Sequence, residues 1–143
     1  MTVRAWTEGD LPEIGRIEAE CFKDPWCVAM WRGTFTRSDF TGFVLEENGA
    51  LVGFAAATVL FEDAELLRIA VYKNERGKGH GGKLLDTLLE NAKARGAEKM
   101  FLEVRESNAT ARGLYESRGF IATGVRKKYY ADGEDAVAMV KTL

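Results

Sequence analysis

The feature that most restricts the fold is a cluster of four glycines, Gly77, Gly79, Gly81 and Gly82, within six residues. The apolar run Leu66–Tyr72 precedes the cluster, and a leucine-rich segment with helical spacing follows it. Such a run, broken only by one arginine, is typical of a buried strand. Glycine lets the backbone turn tightly and approach a bound group closely. The sequence therefore predicts a strand, a glycine-rich loop and a helix in direct succession, with the loop as a candidate binding site.

The charge and position of this loop favour an anion as its ligand. Between Arg68 and Lys83, five basic residues stand against one acidic residue, Glu75. The first turn of a helix also presents free N–H groups and the positive end of the helix dipole. A diphosphate suits both features, and we expect the loop to hold one.

Two nucleotide-binding motifs match these glycines only in part. The mononucleotide P-loop requires Ser or Thr after Gly82-Lys83, where this chain has Leu84. The dinucleotide fingerprint is matched by Gly77, Gly79 and Gly82, but no acidic residue closes a second strand of a parallel βαβ unit at the required distance. A flexible turn without a ligand is a third alternative at this point.

The rest of the chain predicts one α/β domain, residues 1–143. Hydrophobic patterns and turn signals predict the order β-α-α-β-β-β-α-β-α-β-β. Asp10 is expected to cap the first helix, and Trp26–Arg37 to form the second. Asn48-Gly49 predicts a tight hairpin turn, and Phe120–Tyr130 is expected to form the sixth strand.

Composition argues against several classes of protein. The net charge of −2 is unlike that of a generally basic nucleic-acid-binding protein. Cys21 and Cys27 make no disulfide framework, and with His80 as the single histidine we expect no metal site. The least polar stretch, Leu51–Phe61, is too short to cross a bilayer. We therefore expect a cytoplasmic protein that binds neither membranes nor, directly, nucleic acid.

The spacing Arg76-x-x-Gly79-x-Gly81, after a strand and before a long helix, resembles a motif of the Gcn5-related N-acetyltransferase (GNAT) family. In that family the amides of this loop hold the pyrophosphate of acetyl-CoA. The resemblance implies a GNAT fold, with a mixed central β-sheet of about seven strands flanked by about four helices, and acetyl-CoA as cosubstrate. It places the cosubstrate on Ile69, Ala70, Val71, Arg76, Gly77, Lys78, Gly79, His80, Gly81, Gly82 and Asn108.

Further matches narrow the resemblance to the ribosomal-protein-alanine N-acetyltransferases, the RimI type. The longest covers Leu102–Phe120, from Leu102-Glu103-Val104-Arg105 through Ser107-Asn108-Ala109 to Leu114-Tyr115 and Gly119-Phe120. Two more lie on the acceptor side in that family, namely Pro25-Trp26 and Arg126-x-x-Tyr129-Tyr130 with Gly133-Glu134-Asp135-Ala136.

This resemblance implies direct transfer of an acetyl group from acetyl-CoA to the N-terminal alanine of a small-subunit ribosomal protein. It implies that Glu103 is the general base for the acceptor ammonium and that Tyr115 is the general acid for the departing thiolate. The expected acceptor site comprises Trp26, Arg68, Tyr129, Tyr130 and Glu134.

Two residues depart from the family pattern, and two other functions stay open. Arg68 stands where the family has a small or polar residue, and His80 replaces an aliphatic residue and is expected at the surface. The alternatives are a GNAT enzyme for a small amine, such as a polyamine or an antibiotic, and a non-catalytic sensor of acyl-CoA. The pair Tyr129-Tyr130 favours a peptide because it would narrow the acceptor groove, and a sensor would need neither Glu103 nor Tyr115.

Overall fold

The computed structural model describes residues 1–143 and contains seven strands and four α-helices, in the predicted order. The strands are β1 (Thr2–Ala5), β2 (Phe40–Glu47), β3 (Ala50–Leu60), β4 (Asp63–Val71), β5 (Lys99–Arg105), β6 (Ile121–Arg126) and β7 (Ala136–Thr142). The helices are α1 (Leu11–Cys21), α2 (Val28–Phe35), α3 (His80–Ala94) and α4 (Ala109–Ser117). No helix is both long enough and apolar enough to span a bilayer.

All seven strands belong to one sheet, in the order β1-β2-β3-β4-β5-β7-β6. Neighbouring strands are antiparallel except β4 and β5, which are parallel and are joined through α3. Parallel neighbours need such a crossover, because a tight turn cannot connect them. The sheet is therefore mixed, as predicted.

The helices cover the two faces of the sheet and divide the core into two clusters. On one face α3 and α4 bury the larger cluster, which includes the predicted stripe Leu84, Leu85, Leu88, Leu89 and Ala92. On the other face α1 and α2 bury a smaller cluster around Trp31, which is fully buried. In β3, Phe54 and Ala56 point to the smaller cluster and Ala55 and Ala57 to the larger one, which explains its continuous apolar run.

Asp10 does not cap α1 as predicted, because its carboxylate makes other bonds. Its two oxygens accept hydrogen bonds from the Arg4 guanidinium at 2.8 and 2.9 Å, and Oδ2 also accepts from the Thr7 amide at 2.7 Å. Arg4 donates to Glu46 on β2 as well, at 2.8 Å. The buried Asp10 therefore joins the start of α1 to the first two strands.

Two elements are shorter than predicted. Helix α2 begins at Val28 and not at Trp26, because the Trp26 amide donates to the Glu18 carboxylate at 3.0 Å in the connection before the helix. Strand β6 ends at Arg126 and not at Tyr130. Beyond it, Lys128 has a φ of 51° and its amide donates to Asp135, so the chain turns away as a loop, residues 127–135.

The turn between β2 and β3 confirms the prediction made from Asn48-Gly49. Both residues have positive φ, 54° and 79°. This is the backbone geometry that matches the twist of two antiparallel strands.

We expect Asp10→Asn to destabilise the protein by about 2 kcal/mol, because it weakens a charged and largely buried hydrogen-bond network. The Arg4 guanidinium holds the pKa of Asp10 below its ordinary value of 3.8. This contribution is therefore present above that value and is lost as the pH falls through the lower folded-state pKa. Urea unfolding at neutral pH and in acid measures both effects.

Glu8→Gln is the matched control, because Glu8 pairs with Arg32 while both side chains are exposed. Its cost is expected to stay within about 0.5 kcal/mol. Equal costs for the two variants would contradict a special role for Asp10.

Candidate active site

The central feature of the site is a gap between β4 and β5. The two strands pair only over Asp63–Glu65 and Lys99–Phe101. Directly afterwards Leu67 forms a bulge in β4, where Ala56 pairs with Arg68 but Ala57 pairs with Leu66. A bulge bends a strand and changes its direction, and the strands separate from this point on.

The separation leaves backbone groups of β4 facing the gap. The Tyr72 amide donates to the Val52 carbonyl of β3 at 3.0 Å. Because hydrogen-bonded residues alternate along an antiparallel ladder, Ile69 and Val71 turn their N–H and C=O groups away from β3. The Val71 carbonyl accepts from Arg76 Nε at 3.1 Å on that side. The peptide groups of Ile69 thus offer a free edge to an extended ligand.

The glycine loop lies at the end of this gap. Gly77 and Gly79 have φ of 82° and 81°, values that favour glycine, and Gly79 is the last residue before α3. The first intrahelical bond of α3 runs from the Lys83 amide to the Gly79 carbonyl. The amides of His80, Gly81 and Gly82 consequently have no partner within the helix and form an anion-binding site.

Gap and loop open into one cleft of about 580 Å³. Its lining includes ten of the eleven residues on which the cosubstrate was expected, namely Ile69, Ala70, Val71, Arg76, Gly77, Gly79, His80, Gly81, Gly82 and Asn108. Lys78 is the exception, because it lies outside the lining and pairs with Glu75 at 2.8 Å. Six further lining residues were not predicted, and they come from α1, the segment after it, the glycine loop and α4: Cys21, Phe22, Glu75, Thr110, Ala111 and Leu114.

Three of the expected residues have internal roles in this cleft. Arg76 donates to the Val71 carbonyl and to Cys21 Sγ at 3.3 Å, so it fixes the junction of strand and loop. Asn108 caps α4, since its Oδ1 accepts from the Ala111 amide at 3.1 Å. His80 was expected at the surface, which is wrong: it is only 4 % exposed, because the start of α3 turns its ring towards the end of β2.

Glu103 stands on β5 at the far side of the gap from the loop. Its side chain is 22 % exposed and its Oε1 lies 3.3 Å from Arg126 Nε. Glu65 on β4 is close enough to affect it electrostatically: burial, and then the charge of Glu103, raise the pKa of Glu65. The two carboxyl groups make this edge of the gap strongly acidic.

Glu103 and Glu65 also line a second, open cavity of about 630 Å³. This cavity lies on the sheet face that α1 and α2 leave uncovered, between β4 and β6. Asp39 and Asp63 contribute further acidic groups, and Phe101 and Leu60 contribute apolar surface. Arg37 and Arg126 also line the cavity, and they pair with Asp39 and Glu103. The four carboxylates still outnumber the two arginines, so the surface suits a ligand that carries both positive and apolar groups.

Tyr115 on α4 is buried, and its ring packs edge-on against Phe120 at 5.8 Å between centroids. Burial raises the pKa of its phenol well above the ordinary value of 10, and the nearby Tyr130 raises it further. The hydroxyl makes no hydrogen bond within the protein. Tyr115 is thus a neutral phenol with an uncommitted proton.

The loop 127–135 carries three residues of the expected acceptor site. Tyr130 is half-buried, and its ring lies 4.1 Å from the Arg105 guanidinium, while Tyr129 is exposed and meets Tyr130 edge-on. Glu134 accepts from Arg105 and from the Ser107 amide, both at 2.9 Å. Glu134 therefore ties this loop to the start of α4.

Arg68 and Trp26, the other two residues of the expected acceptor site, surround a buried carboxylate. Glu18 on α1 is fully buried and lies 3.2 Å from Arg68 Nε. The Arg68 guanidinium also stacks on the ring of Phe22, at 4.1 Å, and lies 5.8 Å from the ring of Trp26. The departure from the family pattern at Arg68 is thus explained by an internal partner, Glu18.

The fold and the cleft together are those of an acyltransferase. Residues 11–120 match the acetyltransferase (GNAT) family, and the chain belongs to this family. A solved GNAT-family acetyltransferase from Elizabethkingia anophelis with acetyl-CoA bound has the same fold, with a TM-score of 0.83 and 20 % identity over 99 % of this chain and 97 % of the other.

Within the family, the resemblance to the RimI type is confirmed. The [ribosomal protein bS18]-alanine N-acetyltransferase of Escherichia coli is 36 % identical over an alignment of 144 positions, which covers 96 % of this chain and 95 % of the relative. The crystal structure of the ribosomal-protein-S18-alanine N-acetyltransferase from Escherichia coli superposes with a TM-score of 0.91 at 35 % identity, over 99 % of this chain and 92 % of the other.

Gly81→Ala is expected to weaken acetyl-CoA binding roughly tenfold, because a methyl in the cleft lining would hold the pyrophosphate away from the amides of α3. The loss is about that of one hydrogen bond to a charged group. The added methyl would meet only Leu114 in the free protein, at an ordinary 3.5 Å, so the fold tolerates it. Calorimetry gives the affinity and a thermal melt checks the fold. Gly33→Ala on α2, where the methyl meets nothing within 4 Å, is the control. Unchanged affinity in Gly81→Ala would contradict a close approach of the cosubstrate to the backbone at Gly81.

We expect Arg68→Met to cost about 3 kcal/mol of stability, because it leaves the Glu18 carboxylate buried without its cation. Burial raises the pKa of Glu18 above 4.5, and Arg68 opposes that rise. A raised pKa means that stability is lost as the pH increases through it, so the defect should grow from about pH 5 to pH 8.

The measurement is urea unfolding at both pH values. Adding Glu18→Gln to Arg68→Met should restore part of the loss, whereas Arg16→Met, whose side chain is mostly exposed, should cost little. A defect that does not vary with pH would contradict the explanation.

Proposed function

We propose that the protein transfers the acetyl group of acetyl-CoA to the N-terminal amine of a ribosomal protein that begins with alanine. The observation that carries this substrate is the identity of 36 % with the Escherichia coli enzyme, which extends over nearly the full length of both chains. The acidic edge at Glu103 and Glu65 supports it, because an N-terminal ammonium is a cation.

In this proposal the cleft binds acetyl-CoA through backbone groups. The pyrophosphate lies on the free amides of His80, Gly81 and Gly82. The pantetheine arm extends along the free edge of β4 at Ile69, with Asn108 on the opposite wall. Such a binding site positions the thioester between Glu103 and Tyr115, and positioning is the largest contribution to a direct transfer.

Glu103 acts as the general base. It takes a proton from the acceptor ammonium, directly or through a water molecule, and the free amine then attacks the thioester carbonyl. Arg126, its partner in the free protein, has a largely exposed side chain at the end of β6, so it can yield to the incoming ammonium.

Tyr115 acts as the general acid. As the tetrahedral intermediate collapses, the C–S bond breaks and the sulfur takes the phenol proton, which leaves CoA as a thiol. The phenol suits this role because burial keeps it protonated and no protein group accepts its hydrogen bond. After the attack the amine nitrogen carries one proton more than the amide product, and that proton returns to the tyrosinate. Glu103 releases the proton it has taken to solvent before the next turnover.

The acceptor peptide, in this proposal, enters over the uncovered sheet face. Tyr130 and Tyr129 form one side of the entrance, and Arg68 with Trp26 forms the other. Both oxygens of Glu134 are engaged within the protein, so its part is to hold the loop that carries the two tyrosines.

A panel of acceptors tests the proposal. Peptides that begin with Ala-Arg, Ser or Met, a blocked peptide with an internal lysine, spermidine and an aminoglycoside are each incubated with acetyl-CoA, and mass spectrometry locates the acetyl group. We expect transfer to the α-amine of the Ala-Arg peptide. Transfer only to spermidine or to the aminoglycoside would overturn the proposal and indicate an enzyme for small amines. Binding of acetyl-CoA without transfer to any acceptor would indicate a sensor.

Glu103→Gln is expected to lower kcat by about 10²-fold or more, because the ammonium then lacks a base. The affinity for acetyl-CoA should not change, since the cosubstrate cleft does not include this side chain. Steady-state kinetics and calorimetry measure the two quantities. Glu106→Gln, at an exposed position just after β5, is the control, and turnover near that of the wild type in Glu103→Gln would exclude Glu103 as the base.

Tyr115→Phe is expected to lower kcat by about 10²-fold while KM changes little, because only the proton donor is removed. The ring contact with Phe120 stays, so the thermal stability should be close to that of the wild type. Tyr129→Phe, on the exposed loop, should keep most of its kcat. Loss of stability without loss of kcat in Tyr115→Phe would assign this residue to packing.

A further inference from the structure

Beneath the glycine loop, a buried imidazole faces two carboxylates without bonding to either. His80 Nε2 has no hydrogen-bond partner although the residue is nine-tenths buried. Glu47 Oε2, at the end of β2, lies 3.8 Å from it, and Glu75 Oε2 lies 3.9 Å from it. Glu47 Oε2 is buried without a partner as well.

These three atoms converge on one point. All lie within 4.8 Å of one another, too far for good hydrogen bonds but close to the separation of ligands around a metal ion. Zinc binds imidazole nitrogen and carboxylate oxygen at about 2.0–2.2 Å, so small side-chain movements would bring all three atoms into coordination. Two buried polar atoms without partners are costly in a folded protein unless a ligand satisfies them.

We propose that His80, Glu47 and Glu75 bind one divalent transition-metal cation. One imidazole and two carboxylates suit zinc and its first-row neighbours, and three protein ligands leave a coordination position open. The single histidine had argued against such a site. The proposal departs from that expectation because β2 brings Glu47, which is distant in sequence, to the start of α3.

Lys78 is the internal competitor for this cation. Its ammonium lies 2.8 Å from Glu75 Oε2, the same oxygen that faces His80. The Lys78 side chain is 53 % exposed and can swing into solvent when a cation takes its place. Removing it should therefore strengthen metal binding.

The site would also act on the loop above it. Glu75 and His80 flank Gly77–Gly79, so a shared cation would tie both ends of the loop to β2 and neutralise two carboxylates beside an anion site. Acetyl-CoA should then bind more tightly with the cation present; this consequence, unlike the site itself, rests on the proposed function.

The test is calorimetry of zinc chloride against the metal-stripped full chain, without acetyl-CoA. We expect one zinc per chain, an affinity at least about tenfold lower in His80→Ala and in Glu47→Gln, and a higher affinity in Lys78→Met. Thermal melts confirm that each variant is folded, and Glu47→Gln, which alters a partly exposed residue, covers the case in which His80→Ala does not fold. Absence of binding to the wild type, or equal binding by the folded variants, would overturn the proposal.

Cobalt(II) identifies the ligands. Its spectrum should lack a thiolate charge-transfer band, and Cys27→Ser should not alter it; such a band would assign the metal to Cys21 or Cys27 and overturn the site. A second titration measures acetyl-CoA affinity with and without zinc. Zinc binding without any acetyl-CoA binding would support the metal site and contradict the proposed function.

Discussion

The structure depends on the point at which β4 and β5 stop pairing. If the parallel ladder continued beyond Glu65, the backbone groups of Ile69 would be satisfied within the sheet and no cleft would exist. One extra residue, Leu67, redirects β4. The glycine loop then lies at the open end of the gap, and α3 begins with its free amides facing it. In the proposed function, cosubstrate binding is thus mainly a property of the backbone, and the side chains of Ala70 and Val71 belong to the core.

Some polar groups around the cleft have hydrogen-bond partners within the protein and others do not. The partnered groups hold the structure in place, whereas the unpartnered ones are free to bind a ligand or to react. Arg76, Asn108 and Glu134 form internal hydrogen bonds that hold the loops in place. The phenol of Tyr115 and the imidazole of His80 have no such partner. An unsatisfied polar group in a buried place lowers stability unless something binds to it, and His80 Nε2 is a group of that kind.

Local patterns predicted most of the fold. Asn48-Gly49, the leucines of α3 and the glycine cluster each depend on neighbours within a few residues, so the sequence displays them directly. The wrong predictions concern side-chain partners that no sequence pattern indicates. Asp10 bonds to Arg4, which also reaches Glu46 on β2, His80 is buried against the end of that strand, and Trp26 is held out of α2 by Glu18. The catalytic residues were predicted only from the resemblance to the family, because no spacing in the sequence indicates that Glu103 and Tyr115 act together.

The short ladder between β4 and β5 also has a mechanical consequence. It divides the sheet into a lobe of β1–β4, with α1 and α2, and a lobe of β5–β7, with α4, and only three residue pairs join the two along the sheet. The hydrophobic cluster under α3 includes residues of both lobes and joins them through a shared core. A ligand that fills the gap completes the interrupted sheet with its own polar groups. In the proposed function, acetyl-CoA binding and CoA release are therefore the gain and loss of a surrogate strand between two lobes.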